Sequence, residues 1–150
     1  MHIFLTIVKF INKRIFRTTM QKTMPQEIEV RYILPAIRRE LAKVFVEQHK
    51  LNQKEAAKLL GMTEAAISQY RHSKRASEVV FSDEVTQQIR ISADRILADK
   101  KNKKRVMAEM IRISGLTTVK HILCDIHRSQ SKELQDCNIC FEEDLIQIKK

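Results

Sequence analysis

A chain of 150 residues, 43% of them hydrophobic, buries enough surface for one compact domain with an extension, or for two very small units. Two glycines, two prolines and no long polar–apolar alternation exclude a strand-rich fold and point to an all-α one. A formal net charge of +10 points away from cationic partners and toward polyanions, either nucleic acid or an anionic membrane surface.

Residues 1–23 carry Lys9, Lys13, Arg14, Arg17 and Lys22 and no acid. Their apolar run, Ile3 to Ile11, is interrupted by Lys9. It falls far short of the roughly 20 apolar residues a spanning helix needs, so no transmembrane segment is expected. The charges follow the apolar run, the reverse of a secretory signal, and a cytoplasmic location is expected. Residues 1–23 read as a basic N-terminal extension outside the fold, with a membrane-surface helix as the other reading. Met20 and Met24 offer alternative starts, so the extension need not be native.

Residues 25–32, PQEIEVRY, alternate briefly and predict a lead-in strand or extended arm. A helix is expected from near Leu34, with Pro35 in its first turn, to about Lys50. Ile37, Leu41, Ala42, Val44 and Phe45 form its apolar face, with Arg38, Arg39, Glu40 and Lys43 toward solvent. Asn52 and Glu55 have the spacing of a capping box. The helix they open carries Ala56, Leu59 and Leu60 on one side, and Gly61 stops it in the left-handed conformation. Thr63 caps a further helix over Glu64 to Tyr70, and the small Ala57, Ala65 and Ala66 suit close helix approach. After the basic connector RHSKRASEVVF, Ser82 with Asp83 and Glu84 opens a helix whose stripe is Val85, Ile89, Ile96 and Leu97. KKNKKR, residues 100–105, reads as a polar linker, followed by a helix over Val106 to Ile113 that Gly115 ends. Thr117 or Thr118 caps a last helix over Val119 to Ile126, and the tail beyond Cys137 holds Leu145, Ile146 and Ile148.

Two short helices about a tight glycine turn on a basic chain form a DNA-binding arrangement. With Ile67 and Tyr70 in the core, the second helix turns Glu64, Ala65, Ser68 and Gln69 outward as base-reading candidates. Gln69 matches adenine, Ser68 is versatile, Ala65 suits a thymine methyl and Glu64 accepts from cytosine. Gln53, Arg71, His72, Lys74 and Arg75 are the phosphate-contacting candidates. The competing structural reading takes Ala56, Leu60, Gly61 and Ile67 as ordinary core and turn residues. It leaves the outward Ser68 and Gln69 and the basic run behind them without a purpose.

The stretch QKEAAKLLGMTEAAISQYRHSKR, residues 53–75, resembles the helix-turn-helix of the phage repressor and Cro-like family. The longer stretch 27–76, with VRYILPAIR ahead of the motif, is similar to archaeal predicted transcriptional regulators. The resemblance covers roughly residues 24–140. It implies an all-α, five-helix, lambda-repressor-like bundle acting as a homodimer on double-stranded DNA, with a small C-terminal cysteine-containing segment. The expected division is therefore 1–23 extension, 24–100 helix-turn-helix domain and 101–150 C-terminal helical segment. The expected function is sequence-specific transcription regulation, with a metal or redox response as a further expectation, and the alternative is a helical protein-interaction module or antitoxin-like partner without operator specificity. No nucleophile–base pairing, phosphate-binding glycine loop or paired carboxylate site is evident, so no enzyme is expected.

Three cysteines, an odd number, suit a disulfide scaffold poorly. Cys124, His127, Cys137 and Cys140 follow C-x2-H and C-x2-C spacing across a short loop, a Cys3His set suited to tetrahedral zinc. An iron–sulfur cluster is the alternative cofactor, and His121 the alternative to His127. Without a metal, Cys124 reads as a buried helix residue and the pair as incidental or a reversible dithiol.

Overall fold

The computed structural model describes residues 24–72, 76–130 and 132–141, and every regular element among them is helical. The all-α expectation holds, with seven α-helices among the described residues. They are α1 (Pro25–Ile28), α2 (Leu34–Lys43), α3 (Gln53–Leu60), α4 (Glu64–Arg71), α5 (Asp83–Ala98), α6 (Lys103–Ser114) and α7 (Thr117–Gln130). Two π-helical stretches, Glu29–Ile33 and Val44–Gln48, extend α1 and α2. None of these helices is long and apolar enough to cross a membrane.

The expected strand or arm at residues 25–32 is a helix instead. Ile28 and Ile33 are fully buried while Val30 is 64% exposed, which is helical and not alternating placement. Pro35 accounts for the wide turn ahead of α2. It has no amide hydrogen and its ring crowds the carbonyl one turn back. The chain meets this with a π-turn, in which Leu34 N–H reaches the Glu29 carbonyl.

Helix α2 is the hub and packs against α3, α4, α5 and α6. Its buried face carries Ala36, Ile37, Leu41 and Ala42, continued by Val44 and Phe45. One apolar cluster runs from Ile28 to Leu123, so α6 and α7 contribute Met110, Ile113 and Val119 to the same core as the first helices. Helix α7 lies against α1.

Local chemistry sets the helix ends. Asn52 Oδ1 accepts from Glu55 N–H and Glu55 Oε2 from Asn52 N–H, each at 2.9 Å, completing the capping box. Gly61 ends α3 at φ 63°, where a side chain is strained. Met62 N–H then reaches the Ala57 carbonyl at 2.9 Å. Thr63 Oγ1 accepts from Ala66 N–H at 3.2 Å and opens α4. Ser82 Oγ accepts from Val85 N–H at 3.4 Å and opens α5. The basic run at 100–105 is split, because Asn102 Oδ1 accepts from Lys104 N–H at 3.1 Å and starts α6 inside it. Gly115 ends α6 at φ −77°, with no left-handed turn. Helix α7 runs on past Ile126 to Gln130.

Arg39 corrects a sequence expectation. It is buried, not solvent-facing. Its guanidinium donates to the carbonyls of Val79, at 2.9 Å, and Ala76, and to Glu40 Oε1 at 2.7 Å. The connector after α4 is therefore tied to the hub helix. Arg39→Met keeps the aliphatic packing but leaves both carbonyls without their donor. The expected cost is about 1–3 kcal/mol, with faster amide exchange through residues 76–81 than elsewhere. Unchanged exchange there would refute the tether.

Candidate nucleic-acid interface

Helices α3 and α4 pack on each other, and both rest on α2. Ala56, Ala57 and Leu60 are the buried positions of α3, and Ile67 and Tyr70 those of α4. Anchored by those two residues, α4 has one orientation available. Glu64, Ala65 and Gln69 are exposed and Ser68 is half-buried. Arg71 and His72 are also exposed at its C-terminal end. At about 100° per residue these six positions span an arc of roughly 160°, opposite Ile67 and Tyr70. All of the base-reading candidates therefore share one side with two of the phosphate candidates. Gln53, the first residue of α3, is half-buried. Lys74 and Arg75 lie outside the described residues, as do residues 1–23 and 142–150.

Sequence reasoning missed Arg39, which holds Ala76 and Val79 against α2. A lone arginine within an arginine pair carries no sequence signal for such a long-range contact.

The second candidate cluster lies on α7. Cys124 and His127 are both buried, one turn apart, with Leu123 beside them. The segment after α7 folds back along it. Arg128 donates to the Cys137 carbonyl at 2.7 and 3.0 Å and to Asn138 Oδ1 at 2.6 Å. His121 stacks on Phe141 with ring centroids 4.5 Å apart. This return brings Cys140 and Cys137 close to Cys124. All three cysteines are free thiols.

Burial pushes the Cys124 thiol up to about 11, from an ordinary 9.0, and the proximity of Cys140 and Cys137 adds to this. The positive charge of Arg128 opposes it. Its folded-state value is the higher one, so this thiol favours folding fully below the ordinary 9.0 and loses that contribution as pH rises through about 11. Wild-type stability should therefore fall across this alkaline interval, and the fall should flatten in Cys124→Ala. Urea unfolding at stepped alkaline pH tests it, and parallel curves for the two proteins would rule it out.

Thiol sulfur is a soft donor of the kind zinc accepts. As the side chains stand, no group of three or more His, Cys, Asp and Glu donors among the described residues is arranged to hold a metal ion. Comparison with family models, curated proteins and solved structures found no match for this chain.

Proposed function

We propose that this chain is a sequence-specific DNA-binding transcription regulator that reads the major groove with α4. The observation that carries the reading is the side-chain segregation on that helix. Ile67 and Tyr70 are buried, while Glu64, Ala65, Ser68 and Gln69 present small and polar groups outward. His72 and the cationic Arg71 lie on the same exposed arc at the C-terminal end of α4, where they would meet the sugar-phosphate backbone. The net charge of +10 supplies the nonspecific attraction. The five-helix repressor-like bundle, the homodimer and the cytoplasmic location belong to the same proposal. Two copies would place their α4 helices about 34 Å apart, on half-sites one helical turn apart.

Selection from a randomised duplex library with purified protein tests this. One enriched two-fold sequence supports a dimeric regulator. No enrichment at low salt overturns the reading and favours the helical interaction module. The observation in favour of that second reading is the exposure of Val30 and Val80, but apolar side chains scattered singly over a surface are ordinary.

The proposal extends to the thiol cluster. Zinc held by Cys124, Cys137, Cys140 and His127 would clamp the return segment onto α7, and an iron–sulfur cluster is the alternative occupant. Elemental analysis of protein purified without air should give about one zinc per chain. Iron with acid-labile sulfide would favour the cluster. Neither metal would leave the cysteines as a dithiol set.

A further inference from the structure

A groove of about 640 Å³ opens between α3, α5 and α6. That volume falls within the roughly 300–1,000 Å³ of small-molecule sites. Its floor is apolar, built from Leu51, Leu60, Ile96, Val106 and Met110, and the exposed Met107 also lines it. Around it stand four cations, Arg38, Lys58, Lys100 and Lys103, and two acids, Glu55 and Asp99.

Both acids are engaged. Glu55 closes the α3 capping box on Asn52 N–H at 2.9 Å. Asp99 accepts from Asn102 Nδ2 at 3.0 Å and from Arg105 at 3.4 Å. The four cations make no hydrogen bond or ion pair with any described residue. For three exposed lysines that is ordinary solvation. Arg38 differs, because it is half-buried beside an apolar floor. Its neighbour Arg39 and the inter-helix Arg112 both have their guanidinium groups matched to acceptors. A half-buried guanidinium without an acceptor is matched by a carboxylate or a phosphate, either of which it binds in two-pronged fashion.

We propose that this groove binds a small amphipathic anion, an aliphatic or aromatic body carrying a carboxylate or phosphate. The body would cover the leucine, isoleucine and methionine floor, and the headgroup would meet Arg38 with the lysines around it. A cationic ligand of the same shape would be repelled, and a purely polar anion would leave the floor wet. The groove also touches Gly61, so a bound molecule would lie against the turn that leads into α4. The site itself does not rest on the DNA-binding reading.

The test is methionine-methyl NMR, because Met107 and Met110 line the groove. Protein carrying 13C-methyl methionine is titrated with decanoate, decyl phosphate and decyltrimethylammonium, each kept below its micelle concentration. The expected result is saturable movement of the Met107 and Met110 signals with either anion, at a Kd near or below about 1 mM, and none with the cation. Arg38→Gln should weaken anion binding about tenfold, the size of one lost charge-assisted contact. Lys103→Gln, an exposed change that leaves the core alone, should weaken it by a smaller factor. No saturable movement, or equal binding of anion and cation, overturns the site. So does a Met107 signal that moves with protein concentration alone, which would show a second copy filling the groove.

Discussion

Replacing Glu109 with alanine is expected to lower the unfolding free energy by about 2–3 kcal/mol, the largest loss anticipated from any single polar side chain here. Glu109 is only 4% exposed. It lies on α6 at the seam with α5, where Ser92 Oγ donates to its Oε2 at 2.7 Å and Arg112 Nε donates at 3.0 Å. Arg112 also donates to Gln88 Oε1 at 2.9 Å, to the Gln88 carbonyl at 3.1 Å and to Ser92 Oγ at 2.6 Å. Arg95 and Arg105 approach the carboxylate at 3.7 and 3.9 Å. Removing the acid leaves a buried hydroxyl without its acceptor and three arginines without their common counter-charge. Breaking a buried pair typically costs about 3–5 kcal/mol. These guanidinium groups reach solvent in part, so water recovers some of that and the lower figure applies.

Burial alone would raise the Glu109 carboxyl. The hydrogen bonds from Ser92 and Arg112, with the charges of Arg112 and Arg95, outweigh it and hold the group below its ordinary 4.5. Its contribution is therefore complete above pH 4.5 and disappears as pH falls through the lower folded value. Urea unfolding should show a lower midpoint for Glu109→Ala at neutral pH with an unchanged slope, and the gap from wild type should narrow in acid. A neutral-pH loss under about 1 kcal/mol would mean that water replaces the network freely.

The contrast between Asn52 and Arg39 shows which parts of this fold are legible in sequence. A cap is local chemistry. Asn52 with Glu55, Thr63 and Ser82 act on amides three residues away, so spacing alone locates them, and Gly61 marks its turn for the same reason. Arg39 acts on carbonyls 37 and 40 residues away, and Glu109 on a serine 17 residues away. Nothing in their neighbourhoods in sequence distinguishes them from solvated charges. The helix over residues 25–33 was obscured differently. Its brief alternation is too short to separate strand from helix, and Pro35 pointed to a helix start where a π-turn instead carries the helix through. At the candidate interface, burial of Ile67 and Tyr70 fixed the outward face of α4 from periodicity alone. At the thiol cluster, spacing brought out the cysteines, but the approach of Cys140 to Cys124 depends on the return of the chain that Arg128 and Phe141 hold.

On the proposed DNA reading, Gln69→Ala and Arg71→Ala should fail in different ways. Gln69 is exposed on the outward face of α4. A bidentate amide–adenine pair discriminates by about 1–3 kcal/mol. Its loss should therefore weaken binding to the selected sequence roughly 5- to 150-fold while leaving a scrambled duplex nearly unaffected. Arg71, exposed at the C-terminal end of α4, would meet phosphate, which carries no sequence information. Arg71→Ala should weaken both duplexes by the same factor and reduce the slope of log affinity against log salt by about 1. Alanine is at least as good a helix former as either residue, so folding is not the source of either effect. Fluorescence anisotropy on the two duplexes across a salt series separates the outcomes. Equal losses on both duplexes for Gln69→Ala would remove it from base reading. An unchanged salt slope for Arg71→Ala would remove that residue from the phosphate backbone. If both occurred, the exposed arc of α4 would have to face something other than DNA, and the protein-interaction reading would take its place.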